Sequence, residues 1–407
     1  MTNTVKWYTS EVLGSPVLSG TAGTLIAVLD ACLVTGFATQ AVSSLVVAGG
    51  VATLTVPTTP SATTDSIVVV SGATPAGLNG EQRVTGTTSN TIRFATALGD
   101  QTATGTISVK MAPAGWEKVF SGTNLAVYRS PNVTSTRQYL RVDDTGTITA
   151  TMRAYESMSD VNTGVDKWMD NYWFKGVGAN TTAVGWQIYA DDKTFYLRTE
   201  AGNQDAIYPF GDFDPRRAND PYACMGPNGY LVATINSSSN VQKTVTVNSY
   251  PTGDENTASL KLPRSSTFLS KNVDAYKLPG VVVDSSASSN YSVSSGTRGI
   301  WGNRVLPYPN TADNSLVFTK FNIFESSNKS FRGSLRGVYS SPQQLTPFFS
   351  NTVTVMDGQG DYSGRKIGVA KCNGGVSADG GTNSYFAGCS TIHFPSGRLI
   401  IDLTGPW

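Results

Sequence analysis

Across residues 115–164 apolar and polar side chains alternate with a period of two, and no other feature constrains the fold of this chain as strongly. Leu140 and Val142 fall on one side of that pattern, Arg141 and Asp143 on the other. After Asp143-Asp144-Thr145-Gly146, the residues Ile148, Ala150, Met152 and Ala154 alternate with Thr147, Thr149, Thr151 and Arg153. Successive side chains of a strand point to opposite faces of its sheet, so this is the repeat of a sheet with one buried face. Asp and Gly between the two runs supply turn chemistry, through local side-chain hydrogen bonds and a tolerated positive φ. A second unit repeats the logic: Trp186, Ile188 and Ala190, a turn at Asp191-Asp192-Lys193, then Phe195 and Leu197. The pattern predicts an all-β scaffold built from hairpins.

The remainder of the chain fits a mainly β architecture: a β-sandwich-like body, a small inserted β module and one N-terminal helix. Residues 1–40 and 112–407 are assigned to the body and 41–111 to the insert. The helix is read from Leu25, Ile26, Leu29, Cys32 and Leu33 at helical spacing, with Ser19 or Thr21 as cap and Gly36 as stop. Further strands are expected at 229–235, 315–325, 334–340, 351–358, 364–372 and 397–405. The intervening 200–228, 236–315 and 373–391 read as long loops, which usually carry function or contacts.

Only 14% of the 407 residues are charged, against roughly 25% in an average soluble protein. The net charge of +1 provides no field to gather nucleic acid or an anionic membrane. A weakly charged surface suits a subunit covered by neighbours. With 39% hydrophobic residues the chain can still sustain a packed core. Its N-terminus, MTNTVKWYTSEV, lacks a basic-then-apolar signal, and no run approaches the ~18 apolar residues of a membrane span. The four cysteines form no CxxC pair; Cys372 and Cys389 flank a Gly-rich stretch and could bridge, though free thiols are the expected state.

Candidate chemistry is sparse. The single histidine, His393, lies between Ile392 and Phe394, and no GxSxG elbow accompanies it. Asp143-Asp144 and Asp191-Asp192 read as turn residues rather than a glycosidase pair. In FGDFDPRRANDPYAC the acids Asp212, Asp214 and Asp220 are spaced unlike an EF-hand, and ion pairs with arginines such as Arg216 and Arg217 are the expected use. GTAGTLIAVLD is no phosphate-binding loop. No catalytic residue, cofactor or metal is expected, and the chain is read as not an enzyme. Tyr208, Phe210, Phe213 and Tyr222, with Trp301 and Tyr308, are candidate interface anchors, because aromatic residues with polar tips favour interface cores. Ordinary packing against a sheet explains them equally well.

Several segments resemble tail-region virion proteins of tailed bacteriophages and prophages. They are the opening VKWYTSEVLGSPVLSGTAGTLIAVLDACLVTGF, then APAGWEKVFSGTNLAVYRS with YLRVDDTGT and RAYESMSDVNTG, and further on FGDFDPRRANDPYAC, RGSLRGVY and LIIDLTGPW. SGATPAGLNGEQRV and TIRFAT are similar to the small β insert of such proteins. The resemblance implies a structural component of the tail tip, baseplate or neck, assembled in the bacterial cytoplasm, partnered by other virion proteins and present as a homo-oligomer in the assembled particle. It brings no catalytic residues. A receptor- or carbohydrate-binding tail component, meeting a host-surface glycan or protein, and a capsid decoration protein are the alternatives.

Overall fold

A computed structural model describes residues 5–201, 206–227, 230–234, 244–248, 260–264, 319–324, 331–340, 352–354, 366–372 and 397–407. Among the described residues the chain is mainly β, with antiparallel sheets and one short α-helix. A central sheet carries, in spatial order, Lys6–Thr9, Trp186–Ala190, Thr194–Thr199, Ala206–Asp212, Cys224–Pro227 and Leu260–Lys261. A meander of five strands covers one of its faces: Glu117–Gly122, Leu125–Arg129, Tyr139–Asp143, Thr149–Met158 and Gly164–Phe174. A second outer sheet, which includes Phe331–Ser340, Lys366–Cys372 and Gly397–Asp402, covers the other.

The predicted alternation produces the first of these interfaces. Leu140, Val142, Ala150, Met152 and Ala154 are each 0% exposed and pack with Trp186, Ile188, Phe195 and Leu197 of the central sheet. Ile148 departs from the pattern: it precedes the strand Thr149–Met158 and is 45% exposed. Its carbonyl accepts the N–H groups of Lys175 and Gly176, so backbone pairing sets its position while the side chain points outward.

The second hairpin is buried on both faces, which its apolar residues alone do not announce. Every residue of Thr194–Thr199 is buried. Tyr189 and Tyr196 face away from Phe195 and join Ile323, Leu335, Val338 and Ile401 in a second core. Tyrosine fits there because its ring packs while its hydroxyl finds a partner; Tyr196 donates to the Arg336 carbonyl at 2.8 Å.

The stretch expected as a loop at 200–228 instead contains the strands Ala206–Asp212, Asp214–Pro215 and Cys224–Pro227. Pro209 and Gly211 lie within Ala206–Asp212, opposite Tyr196 and Thr194, so these residues do not interrupt the strand. Within 236–315, Thr244–Asn248 and Leu260–Lys261 are also strands. The remaining expected strands recur within a few residues of their predicted bounds.

Residues 37–111 form a sheet of their own strands, in the order Phe37–Ala41, Ser108–Met111, Ile67–Ser71, Gly80–Thr87, Thr91–Ala95, Val51–Thr55, Ser44–Ala48 and Gln101–Thr102. Its apolar interior is continuous with the core of the body. Arg83 ties it to the C-terminal segment by donating to the Leu403 carbonyl at 3.0 Å.

The helix is shorter than its stripe suggests. Thr24–Leu29 is α-helical, Asp30–Thr35 widens to a π-turn, and Gly36 ends it at φ 73°. Neither Ser19 nor Thr21 caps it. Gly23 occupies the N-cap in a left-handed conformation, and the N–H groups of Leu25 and Ile26 donate to Asp144 Oδ2 at 2.8 and 3.1 Å. The cap therefore comes from the turn of the first hairpin, far along the chain.

Candidate functional site

Of the polar residues singled out in the sequence, Asp191, Asp192, Asp212 and Asp214 lie at or beside the turn after Trp186–Ala190. Asp191 Oδ1 accepts the N–H groups of Lys193 and Thr194 at 2.8 and 2.7 Å, the turn role expected of it. The same carboxylate receives Arg336 in a two-pronged pair, with Nη2 2.7 Å from Oδ2 and Nη1 3.3 Å from Oδ1. Asp191 is 0% exposed and Arg336 4%. Arg336 also donates to Thr194 Oγ1 at 2.9 Å and to the Trp407 carbonyl, with Asp214 3.7 Å away. The planar guanidinium suits such a site, because its donors are fixed in a fork that matches a carboxylate.

The turn also bonds to the meander. Trp116 Nε1 donates to the Asp191 carbonyl at 2.8 Å, Ser130 to the Asp192 carbonyl at 2.6 Å, and Asn132 to the Asp192 carboxylate at 2.7 Å. Thr194 Oγ1 reaches the Asp212 carbonyl at 2.7 Å, and Asp212 in turn accepts the Thr136 hydroxyl at 2.5 Å. Gly337, at φ 65°, has no side chain where the Trp407 ring lies against it, and that ring packs edge-on to Tyr196 at 5.7 Å. One turn thus joins the meander, the central sheet and the second outer sheet.

Chemically this node is occupied rather than poised. Both Asp191 oxygens are taken up by backbone N–H groups and by Arg336. Burial pushes the Asp191 carboxyl above its ordinary value of 3.8, with Arg336 opposing, and pushes Asp212 up in the same way against hydrogen bonds from Thr136. Both groups therefore hold a proton more tightly folded than unfolded. They favour the fold increasingly as pH falls toward 3.8, and that contribution is lost as pH rises through their raised folded values. The unfolding midpoint of the native chain is accordingly expected to rise relative to that of Asp212→Asn as pH drops from about 7 to about 4, measured by urea titration. Parallel curves for the two proteins would refute this.

The three acids considered for calcium are dispersed among separate partners: Asp212 with Thr136, Asp214 with Arg336, and Asp220 with Arg332 at 3.4 Å. The expected ion pairs exist, but the arginines come from Phe331–Ser340 rather than from Arg216 and Arg217. Among the described residues no group of three His, Cys, Asp or Glu is arranged to hold a metal ion.

The interface expectation needs correction at three positions. Tyr208, Phe210 and Phe213 are 0%, 1% and 1% exposed, so they are core residues of this chain and not surface anchors. Alternation along Ala206–Asp212 turns Tyr208 and Phe210 toward the meander, where Tyr208 stacks on Trp173 at 5.0 Å. Phe213 enters the second core. Tyr222 is half-buried, with the Arg264 guanidinium 5.1 Å above its ring. Trp301, Tyr308 and His393 lie outside the described residues. Cys32 and Cys224 are buried free thiols; the Cys372–Cys389 question also falls outside the described side chains.

The exposed apolar residues lie elsewhere. Val133 is 85% exposed, Val17 and Tyr172 58%, and Val177 50%. Among the described residues no helix is long and apolar enough to cross a membrane. No protein-family model matches the chain, and no curated protein matches it either.

Proposed function

We propose that this chain is a structural subunit of a bacteriophage virion, a tail, baseplate or tail-tip component that works by assembly with neighbouring subunits. The observation that carries this reading is the use made of the segments on which the resemblance rests. Trp116 of APAGWEKVF, Asp212 and Asp214 of FGDFDPRRANDPYAC, Arg336 of RGSLRGVY and Trp407 of LIIDLTGPW all bond to the Asp191–Thr194 turn or to groups held by it. Their polar groups join three sheets into one rigid body, which is what a part held between neighbours requires. Weak charge favours the same role, since few ionised groups need to be desolvated when the surface is covered.

The test is mass spectrometry of tailed particles purified from lysates in which the chain is expressed. It is expected at a stoichiometry comparable with other tail components; absence from the particles would overturn the proposal. Adding purified chain to an adsorption assay separates the alternative. Competition with phage for cells at saturating concentration would favour a host-surface component over a purely structural one.

A further inference from the structure

Asp144 and Lys175 meet in the interior with both side chains 0% exposed. Asp144 follows the strand Tyr139–Asp143 and Lys175 follows Gly164–Phe174, so the pair closes one end of the meander against the helix. Asp144 Oδ2 is held by the Leu25 and Ile26 N–H groups, and Lys175 Nζ donates to the Thr21 carbonyl at 2.7 Å. Asp144 Oδ1 has the Lys175 Nζ as its immediate neighbour. Two ions in a dry interior are penalised by desolvation. Burial pushes the Asp144 carboxyl up, although Lys175 and the two N–H groups oppose it.

We propose that Lys175 and Asp144 condense to an intramolecular amide, releasing one water. In the proposed step one ammonium proton first passes from Nζ to Oδ1; the freed Nζ lone pair attacks Cγ, and the Cγ–Oδ2 π pair moves onto Oδ2. There the Leu25 and Ile26 N–H groups stabilise the developing negative charge. A second proton lost by nitrogen passes to Oδ1; the Oδ2 pair re-forms the carbonyl, and Oδ1 leaves as water. Atoms and charge balance without oxidant, metal or co-reactant. Fixed proximity in a water-excluded site supplies the driving geometry that the same groups lack in solution. The bridge closes a loop from Asp144 to Lys175 and limits the unfolded chain as a disulfide would, by chemistry that a reducing compartment leaves intact.

The experiment is intact-mass measurement of the full-length chain, denatured and reduced, followed by peptide mapping. The native chain is expected to be lighter than its sequence by one water, with a branched peptide joining the segments that contain Asp144 and Lys175. Lys175→Arg retains a cation and is expected at full sequence mass. A native chain of full mass overturns the proposal and leaves a plain ion pair. A water lost without the branched peptide, as in an aspartyl imide, also overturns it. The native measurement decides even if the variant does not fold.

Discussion

Arg336→Met is expected to lower the unfolding free energy by about 3–5 kcal/mol, the usual cost of leaving one member of a buried pair without its partner. The orphan is Asp191, which stays 0% exposed and bonded to its own turn, so it can neither reach water nor move away. Methionine fills most of the volume of the arginine stem, which confines the loss to the charge and its hydrogen bonds. Because folded domains are stable by only about 5–15 kcal/mol, the shift in urea midpoint should be unmistakable. The double variant Asp191→Asn with Arg336→Met is expected to recover a large part of it, since asparagine still accepts the Lys193 and Thr194 N–H groups without carrying charge. A single variant within ~0.5 kcal/mol of the native chain, the range of ordinary surface changes, would mean that the pair does not fasten the second outer sheet.

Phe210→Ala is expected to cost about 3–5 kcal/mol by removing a buried ring that its surroundings cannot replace. Phe210 lies among Trp116, Trp168 and Phe195, with ring centroids 6.1, 6.1 and 6.0 Å away. These rings come from different sheets or from the segment before the meander, so their collapse into the vacated space would require sheets to shift together. This prediction separates two readings of one residue. An interface anchor would leave thermal stability intact and weaken association; a core residue lowers stability in the isolated chain. Differential scanning calorimetry of the purified variant distinguishes them, and an unchanged melting temperature would restore the interface reading.

The hairpins were legible because their signal is local. Leu140, Val142, Ala150 and Met152 show their face by spacing alone, and the turn residues between them mark the reversal. Asp191 was legible only in half. Its bonds to Lys193 and Thr194 follow from neighbouring positions, whereas Arg336 arrives from 145 residues away. Asp144 was misread for the same reason: it follows Asp143 in a turn, but Asp143 alone bonds locally, to Thr145, while Asp144 caps a helix and meets Lys175. Tyr208 and Phe210 sat in a stretch punctuated by Gly, Pro and Asp, so the alternation that buries them was hidden by the appearance of a loop.

By itself, then, the order of residues determined that this chain would pair strands, where the main reversals fall, and which face of the first hairpin is dry. Those properties depend on side-chain period and turn chemistry, which act over a few residues. Only the tertiary structure decided which polar groups are interior, which sheet covers the tyrosine face of Thr194–Thr199, and which distant partner meets each buried charge. Burial and ion pairing depend on what packs from elsewhere in the chain, and no local pattern carries that information.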